Sequence, residues 1–179
     1  MTETVGAQAA TGRAAGPDPR LDAWRAFLQA HARLFRRLDE ELRADHGLSL
    51  PEYDALLQIA QAPGRRLRMS QLADRVLLSK SGVTRLVDRL VADGLVERWQ
   101  CPTDARGAEA ALTRRGIDTL GAAGRTHARG IETYFLSAVG AADLAGLERM
   151  MTSISRVAGE PADPGTEAAC LPHGGVAHD

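Results

Sequence analysis

Apolar positions recur along this chain in steps of three and four, punctuated by glycine, proline and small polar residues. Over residues 20–47 the series Leu21, Trp24, Leu28, His31, Phe35, Leu38 and Leu42 keeps this step, and Phe27 and Leu34 widen it. The spacing predicts one long amphipathic helix. Gly47 is placed to end it as a left-handed cap. The stripe is wider than a lone surface helix needs, so part of it is expected to face a second chain. Burial within its own subunit is the alternative.

The middle of the chain changes rhythm several times. Ser49 and Glu52 form a capping box that opens a second helix carrying Tyr53, Leu56, Leu57, Ile59 and Ala60. Pro63 and Gly64 close it. Residues 66–69 alternate, as a very short strand would. Ser70 is read as the cap of a short helix with Leu72, Ala73 and Val76, and Leu77 and Leu78 lead into a turn. Ser79 then caps a helix whose buried face is Val83, Leu86, Val87 and Leu90. Gly94 terminates it. Residues 95–100 alternate as a strand, 101–107 form a polar tip with Pro102 and Gly107, and 109–112 return as a second strand. Thr113 can cap the next helix. Residues 117–158 read as two helices joined near 140–143, the first weakened by Gly121, Gly124 and Gly130 at ~1 kcal/mol each relative to alanine. That helix must rely on packing or bend. The two ends, 1–19 and 159–179, lack apolar periodicity and are expected to be disordered.

The order helix, turn, helix, strand, tip, strand defines the fold class: mainly α, with a small β-hairpin wing. A winged helix-turn-helix lobe occupies 48–116, flanked by helices at 20–47 and 117–158. The chain is long enough for a core of its own, and no apolar run approaches the ~20 residues of a membrane span. The N-terminus lacks the basic start and apolar stretch of a signal peptide. Two cysteines, Cys101 and Cys170, make neither a disulfide framework nor a metal signature. The expected compartment is the cytoplasm.

Net charge is −1, but the charge is unevenly placed. Residues 65–115 hold 11 Lys and Arg against 6 Asp and Glu, while the remainder holds 11 against 17. A basic island on an acidic chain suits a nucleic-acid partner, because screening leaves only the local surplus visible to a polyanion.

The helix opened by Ser79 suits the DNA major groove, where base edges carry a readable code. Its first turn offers Ser79, Lys80, Ser81 and Gly82, small or basic residues that let a phosphate approach a helix N-terminus. Thr84 and Arg85 lie one turn in, within reach of base edges, and Arg85 is the candidate guanine reader. Arg89 is placed to contact phosphate, or to pair with Asp88 or Asp93. Ser70 is a further backbone-contact candidate on the preceding helix. In the tip, Arg106 beside Gly107 is suited to a minor groove. Asp104, repelled by phosphate, is suited to orienting it. An ordinary exposed charged loop is the alternative.

Residues 104–107 (Asp-Ala-Arg-Gly), followed by Leu112, Thr113 and Gly116, resemble the wing signature of the MarR family of bacterial transcription regulators. The run from Thr84 to Leu90 and residues 93–98 are similar to the same family. The resemblance covers about residues 21–158. It implies a homodimer of winged helix-turn-helix subunits, with the N- and C-terminal helices interlaced for dimerisation. It also implies binding of double-stranded DNA at a palindromic operator, usually as a repressor. Many members release DNA on binding small aromatic or phenolic compounds between the dimer region and the DNA-binding lobe. By this resemblance Arg106 enters the minor groove and Asp104 orients it.

Trp24, His31 and Tyr53 are the candidates for bordering a cleft that takes a small-molecule inducer, with ordinary packing as the alternative. Cys101 lies where a strand meets the tip, but no resolving cysteine or evident activating partner accompanies it, so a redox switch is the lesser reading. Five scattered histidines make no metal site, and no cofactor is implied. An enzyme would need a nucleophile, a base and an orienting group. Cys101 with His127 is the one pair worth naming, and no spacing supports it. A winged helix used only for protein contacts would not need the basic island.

Overall fold

The computed structural model describes residues 18–76, 78–100 and 108–159. Helix α1 spans Pro19–His46, α2 Leu50–Gln61, α3 Met69–Arg75 and α4 Lys80–Ala92. Helix α5 spans Arg114–Ile131 and α6 Ala141–Ala158, with a π-helical turn at Glu132–Leu136 between them. Strands β1 (Arg66–Arg68), β2 (Val96–Gln100) and β3 (Ala108–Leu112) form one antiparallel sheet in the order β1-β3-β2. This is a mainly helical winged helix-turn-helix fold, as the hydrophobic pattern predicts. The chain divides into two compact units, Met1–Arg33 and Leu34–Asp179.

In the first unit, the described part of α1 leaves Leu21, Trp24, Phe27 and Leu28 exposed. Trp24 stacks on Phe27 with ring centroids 5.8 Å apart, and Phe27 lies 6.3 Å from the His31 ring.

The second unit holds the core. Leu42 from the end of α1 joins Leu56 and Ile59 of α2, Leu72 of α3, and Val83, Leu86, Val87 and Leu90 of α4. Val96, Ala110 and Ala123 close it from the sheet and α5. Each turn between these elements has a local cause. Gly47, at φ +69°, takes the left-handed position that ends α1. The Ser49 hydroxyl accepts from the Glu52 N–H while the Glu52 carboxylate accepts from the Ser49 N–H, the expected capping box. Ser79 accepts from the Gly82 N–H at the start of α4. Thr113 accepts from the Gly116 N–H at the start of α5.

Two local expectations are corrected. Ser70 does not cap α3: Arg68 holds the cap position, makes no side-chain cap bond, and leaves Ser70 exposed inside the first turn. The reason is tertiary. β1 is paired with β3 up to Arg68↔Glu109 and runs straight into the helix, leaving no residue free for a serine cap. Leu95 and Val96 are both buried, so the strand does not alternate cleanly from Leu95. Leu95 still belongs to the exit of α4, where its N–H donates to the Leu90 carbonyl at 2.9 Å. Helix α5 begins at Arg114, directly after its Thr113 cap, as the sequence predicts. Its early glycine serves packing: a Cβ on Gly116 would stand 2.0 Å from the Leu95 carbonyl oxygen.

Candidate nucleic-acid interface

Helix α4 presents two faces. Val83, Leu86, Val87 and Leu90 are buried, while Ser79, Lys80, Ser81, Thr84, Arg85 and Arg89 are exposed together. This division follows from the 3.6-residue period of the helix. The Ser79 hydroxyl is engaged locally, 3.2 Å from the Ser81 hydroxyl and accepting from the Gly82 N–H. Thr84 donates its hydroxyl to the Lys80 carbonyl at 2.9 Å, which leaves its methyl group and its lone pairs for an outside partner. Lys80 and Arg85 make no ion pair among the described residues. They are therefore available cations on an exposed helix face that begins at a capped, partly positive N-terminus.

Two ion pairs hold this helix in place, and neither matches the pairing expected for Arg89. Its Nε donates to Glu52 Oε1 of α2 at 2.7 Å, in place of Asp88 or Asp93. Asp88 instead accepts from Arg98 of β2 at 2.7 Å, and the same arginine lies 3.4 Å from the Thr84 carbonyl. Burial alone would raise the Glu52 pKa, but the bonds from Arg89 and from the Ser49 backbone and hydroxyl hold it below the ordinary value. On the sheet, the Arg66 guanidinium lies over the Trp99 ring at 4.6 Å, placing another basic group beside the hairpin. Asp104, Arg106 and Cys101 lie outside the described residues. Among the described residues, no group of three or more His, Cys, Asp or Glu could hold a metal ion.

A cleft of 840 Å³ opens in the same unit, lined by the second half of α1, by α2 and by α5. Tyr53 is part of its wall; Trp24 and His31 belong to the first unit. The His127 ring stands 4.7 Å from the Tyr53 ring, with Leu57, Ile131 and Phe135 nearby in the lining. The His127 Nδ1 is closed off from solvent and has no hydrogen-bond partner among the described residues. Burial lowers the His127 pKa, and Asp54 opposes it more weakly, so a neutral ring is favoured. Burial and Asp54 both raise the Tyr53 pKa. The result is a largely apolar slot that holds an imidazole and a phenol, with Arg36, Asp39 and Asp54 also in its lining. Such a lining suits a small, largely apolar molecule with one or two hydrogen-bonding groups.

Sequence reasoning found the exposed face of α4 but missed Glu52, Arg98 and His127 as members of these sites. Glu52 was legible as a cap only, and His127 only as a possible partner of Cys101.

The sequence model described as MarR family matches residues 46–107. The HTH-type transcriptional regulator MhqR of Bacillus subtilis is 30% identical over 92 residues, which cover 50% of this chain and 62% of that protein. The match thus spans less than two thirds of that relative's length. Among solved structures, AbsC, a MarR family transcriptional regulator from Streptomyces coelicolor, is similar at a TM-score of 0.75 and 28% identity, over 82% of this chain and 98% of its own. Sco3205, a MarR family regulator from the same organism solved in complex with DNA, is similar at a TM-score of 0.76 and 27% identity, over 84% of this chain and 96% of its own.

Proposed function

We propose that the chain is a member of the MarR family, whose sequence model matches residues 46–107, and that it is a cytoplasmic transcriptional regulator that binds double-stranded DNA as a homodimer. In this reading it is a repressor at a palindromic operator, and a small aromatic or phenolic ligand relieves it; it is not an enzyme. The observation that carries the reading is the face of α4, where Lys80 and Arg85 stand exposed and, among the described residues, without ion pairs beside Ser79, Ser81 and Thr84. In the major groove Arg85 reads a base, Thr84 offers its methyl, and Ser70, Ser79, Lys80 and Ser81 contact backbone. Arg106 enters the minor groove with Asp104 orienting it.

Residues 20–47 and 117–158 form the dimer region. The exposed apolar side chains Leu21, Trp24 and Leu28 on α1, and Met150, Ile154 and Val157 on α6, support a covering copy. A two-fold dimer places its recognition helices about one DNA turn, ~34 Å, apart, so the operator carries two inverted half-sites. The cleft beside Tyr53 and His127 supports the ligand, which acts by preferring the arrangement that does not fit DNA.

Selection of duplexes from a random library by the wild-type protein tests the reading, with light scattering to count subunits. Enrichment of an inverted repeat by a dimer is the expected result. No enriched sequence, or binding by a monomer, would refute it.

A further inference from the structure

The Glu52 carboxylate does two tasks with two oxygens. Oε2 accepts from the Ser49 N–H at 2.9 Å and from the Ser49 hydroxyl at 2.7 Å. Oε1 accepts from Arg89 at 2.7 Å. A capping glutamate has no need of burial, and a buried carboxylate is costly unless well paired. Yet Glu52 is only 8% exposed, and its charged partner lies in the last turn of the recognition helix. The first turn of α2 is itself fixed to α1, because Asp39 accepts from the Leu50 N–H at 2.7 Å and from Arg43 at 2.7 Å.

We propose that Glu52 is a positioning residue for the recognition helix: it holds Arg89 as a tether rather than leaving it to phosphate, and so sets the roll of α4. The inference rests on the DNA-binding reading above. Adjacent residues of an α-helix point about 100° apart around its axis. Arg89 is held by Glu52 from α2, and its neighbour Asp88 by Arg98 from β2. Two tethers about 100° apart define rotation as a single tether does not. A roll of about 20° would move a side chain ~6 Å from the axis by about 2 Å, enough to spoil a bidentate contact to a base. Phosphate contacts tolerate such a shift better, since they depend on charge more than on angle. The clamp therefore acts on discrimination before it acts on non-specific affinity.

The test compares wild type, Glu52→Gln, Arg89→Gln, the double variant and Arg89→Lys. Binding to the duplex that wild type selects, and to a shuffled duplex, is measured by fluorescence anisotropy at several salt concentrations. Each Gln variant should lower the selected-to-shuffled affinity ratio about tenfold, and the double variant by no more than either alone. Arg89→Lys, which keeps a cation facing Glu52, should recover most of the ratio. The slope of log affinity against log salt should be unchanged in Arg89→Gln. A slope shallower by about one would mean that Arg89 contacts phosphate, and would overturn the proposal. Additive losses of about a hundredfold in the double variant would overturn it too. Ser49→Ala removes the cap and leaves the Glu52–Arg89 pair. A ratio within about twofold of wild type is expected for it, and a loss equal to that of Glu52→Gln would assign the effect to fraying of α2. If wild type enriches no duplex at all, the DNA-binding reading fails and carries this inference down with it. If wild type enriches one and the Gln variants behave like wild type, this inference alone fails.

Discussion

Two glycines on α5 should respond in opposite ways to the same methyl group. Alanine is favoured over glycine in a helix interior by about 1 kcal/mol. At Gly121 a Cβ meets nothing within 4 Å, so Gly121→Ala should show that gain, about 0.5–1 kcal/mol of added stability. At Gly116 a Cβ would stand 2.0 Å from the Leu95 carbonyl oxygen and 3.0 Å from its carbon. Both obstacles are backbone, and the carbonyl is already committed, accepting from the Thr113 N–H at 3.1 Å and the Thr113 hydroxyl at 3.2 Å. Overpacking costs roughly 1–3 kcal/mol, and an immovable obstacle places Gly116→Ala at the top of that range. Subtracting the helix gain leaves a net loss of about 2 kcal/mol. The two variants should therefore differ by about 3 kcal/mol, which is roughly 10 °C in Tm for a chain of this size. Gly130→Ala should fall between them, because its nearest obstacle is the Leu38 Cδ2 at 2.6 Å, the end of a side chain that can rotate. Urea unfolding followed by circular dichroism measures the series. Protein concentration must be held fixed, since self-association raises apparent stability. A Gly116→Ala variant as stable as wild type would refute the reasoning.

Three further outcomes are expected. Arg106→Ala should weaken operator binding while the subunit count stays unchanged; a gel-shift titration showing no loss would remove the wing from the interface. Arg85→Ala should broaden the sequence preference at one base position by ~1–3 kcal/mol, and an unaltered preference in random-duplex selection would end its base-reading role. His127 is lowered by burial, so the fold takes up the neutral ring and the unfolded chain binds the proton first. Its contribution to stability is complete above the ordinary value near 6.5 and is lost as pH falls from there toward the lower folded value. Urea midpoints at about pH 7.5 and about pH 5.5, on either side of that ordinary value, should fall less for His127→Gln than for wild type. Equal drops would show that the ring is not the sensor.

What the sequence made legible was local. Ser49, Ser79 and Thr113 were each readable as caps because a cap bond spans three residues and needs only the right side chain before an apolar run. Ser70 carries the same signal and fails, because pairing of β1 with β3 fixes the chain first. Arg89 was matched to acids on its own helix, but its partner is 37 residues away, and nothing local distinguishes Glu52 from the other acids. The cleft shows the same limit. Tyr53 and His127 meet only because α5 packs across α2, so pairing Tyr53 with Trp24 and His31 was a choice among aromatic residues with no distance to guide it.

The order of the sheet has a consequence for how the chain is made. β3 lies between β1 and β2, yet it is the last of the three to be synthesised. Until residues 108–112 leave the ribosome, β1 and β2 have no neighbour to bond, and the helices α3 and α4 emerge beside two open strand edges. The lobe must then close in one late step, with Arg66 meeting Ala111 and Val96 meeting Leu112 across the newly arrived strand. A product that stops short of Ala108 would keep most of the core side chains and both bare edges. Such a fragment is set up to pair with other chains and aggregate rather than to persist as a smaller working lobe.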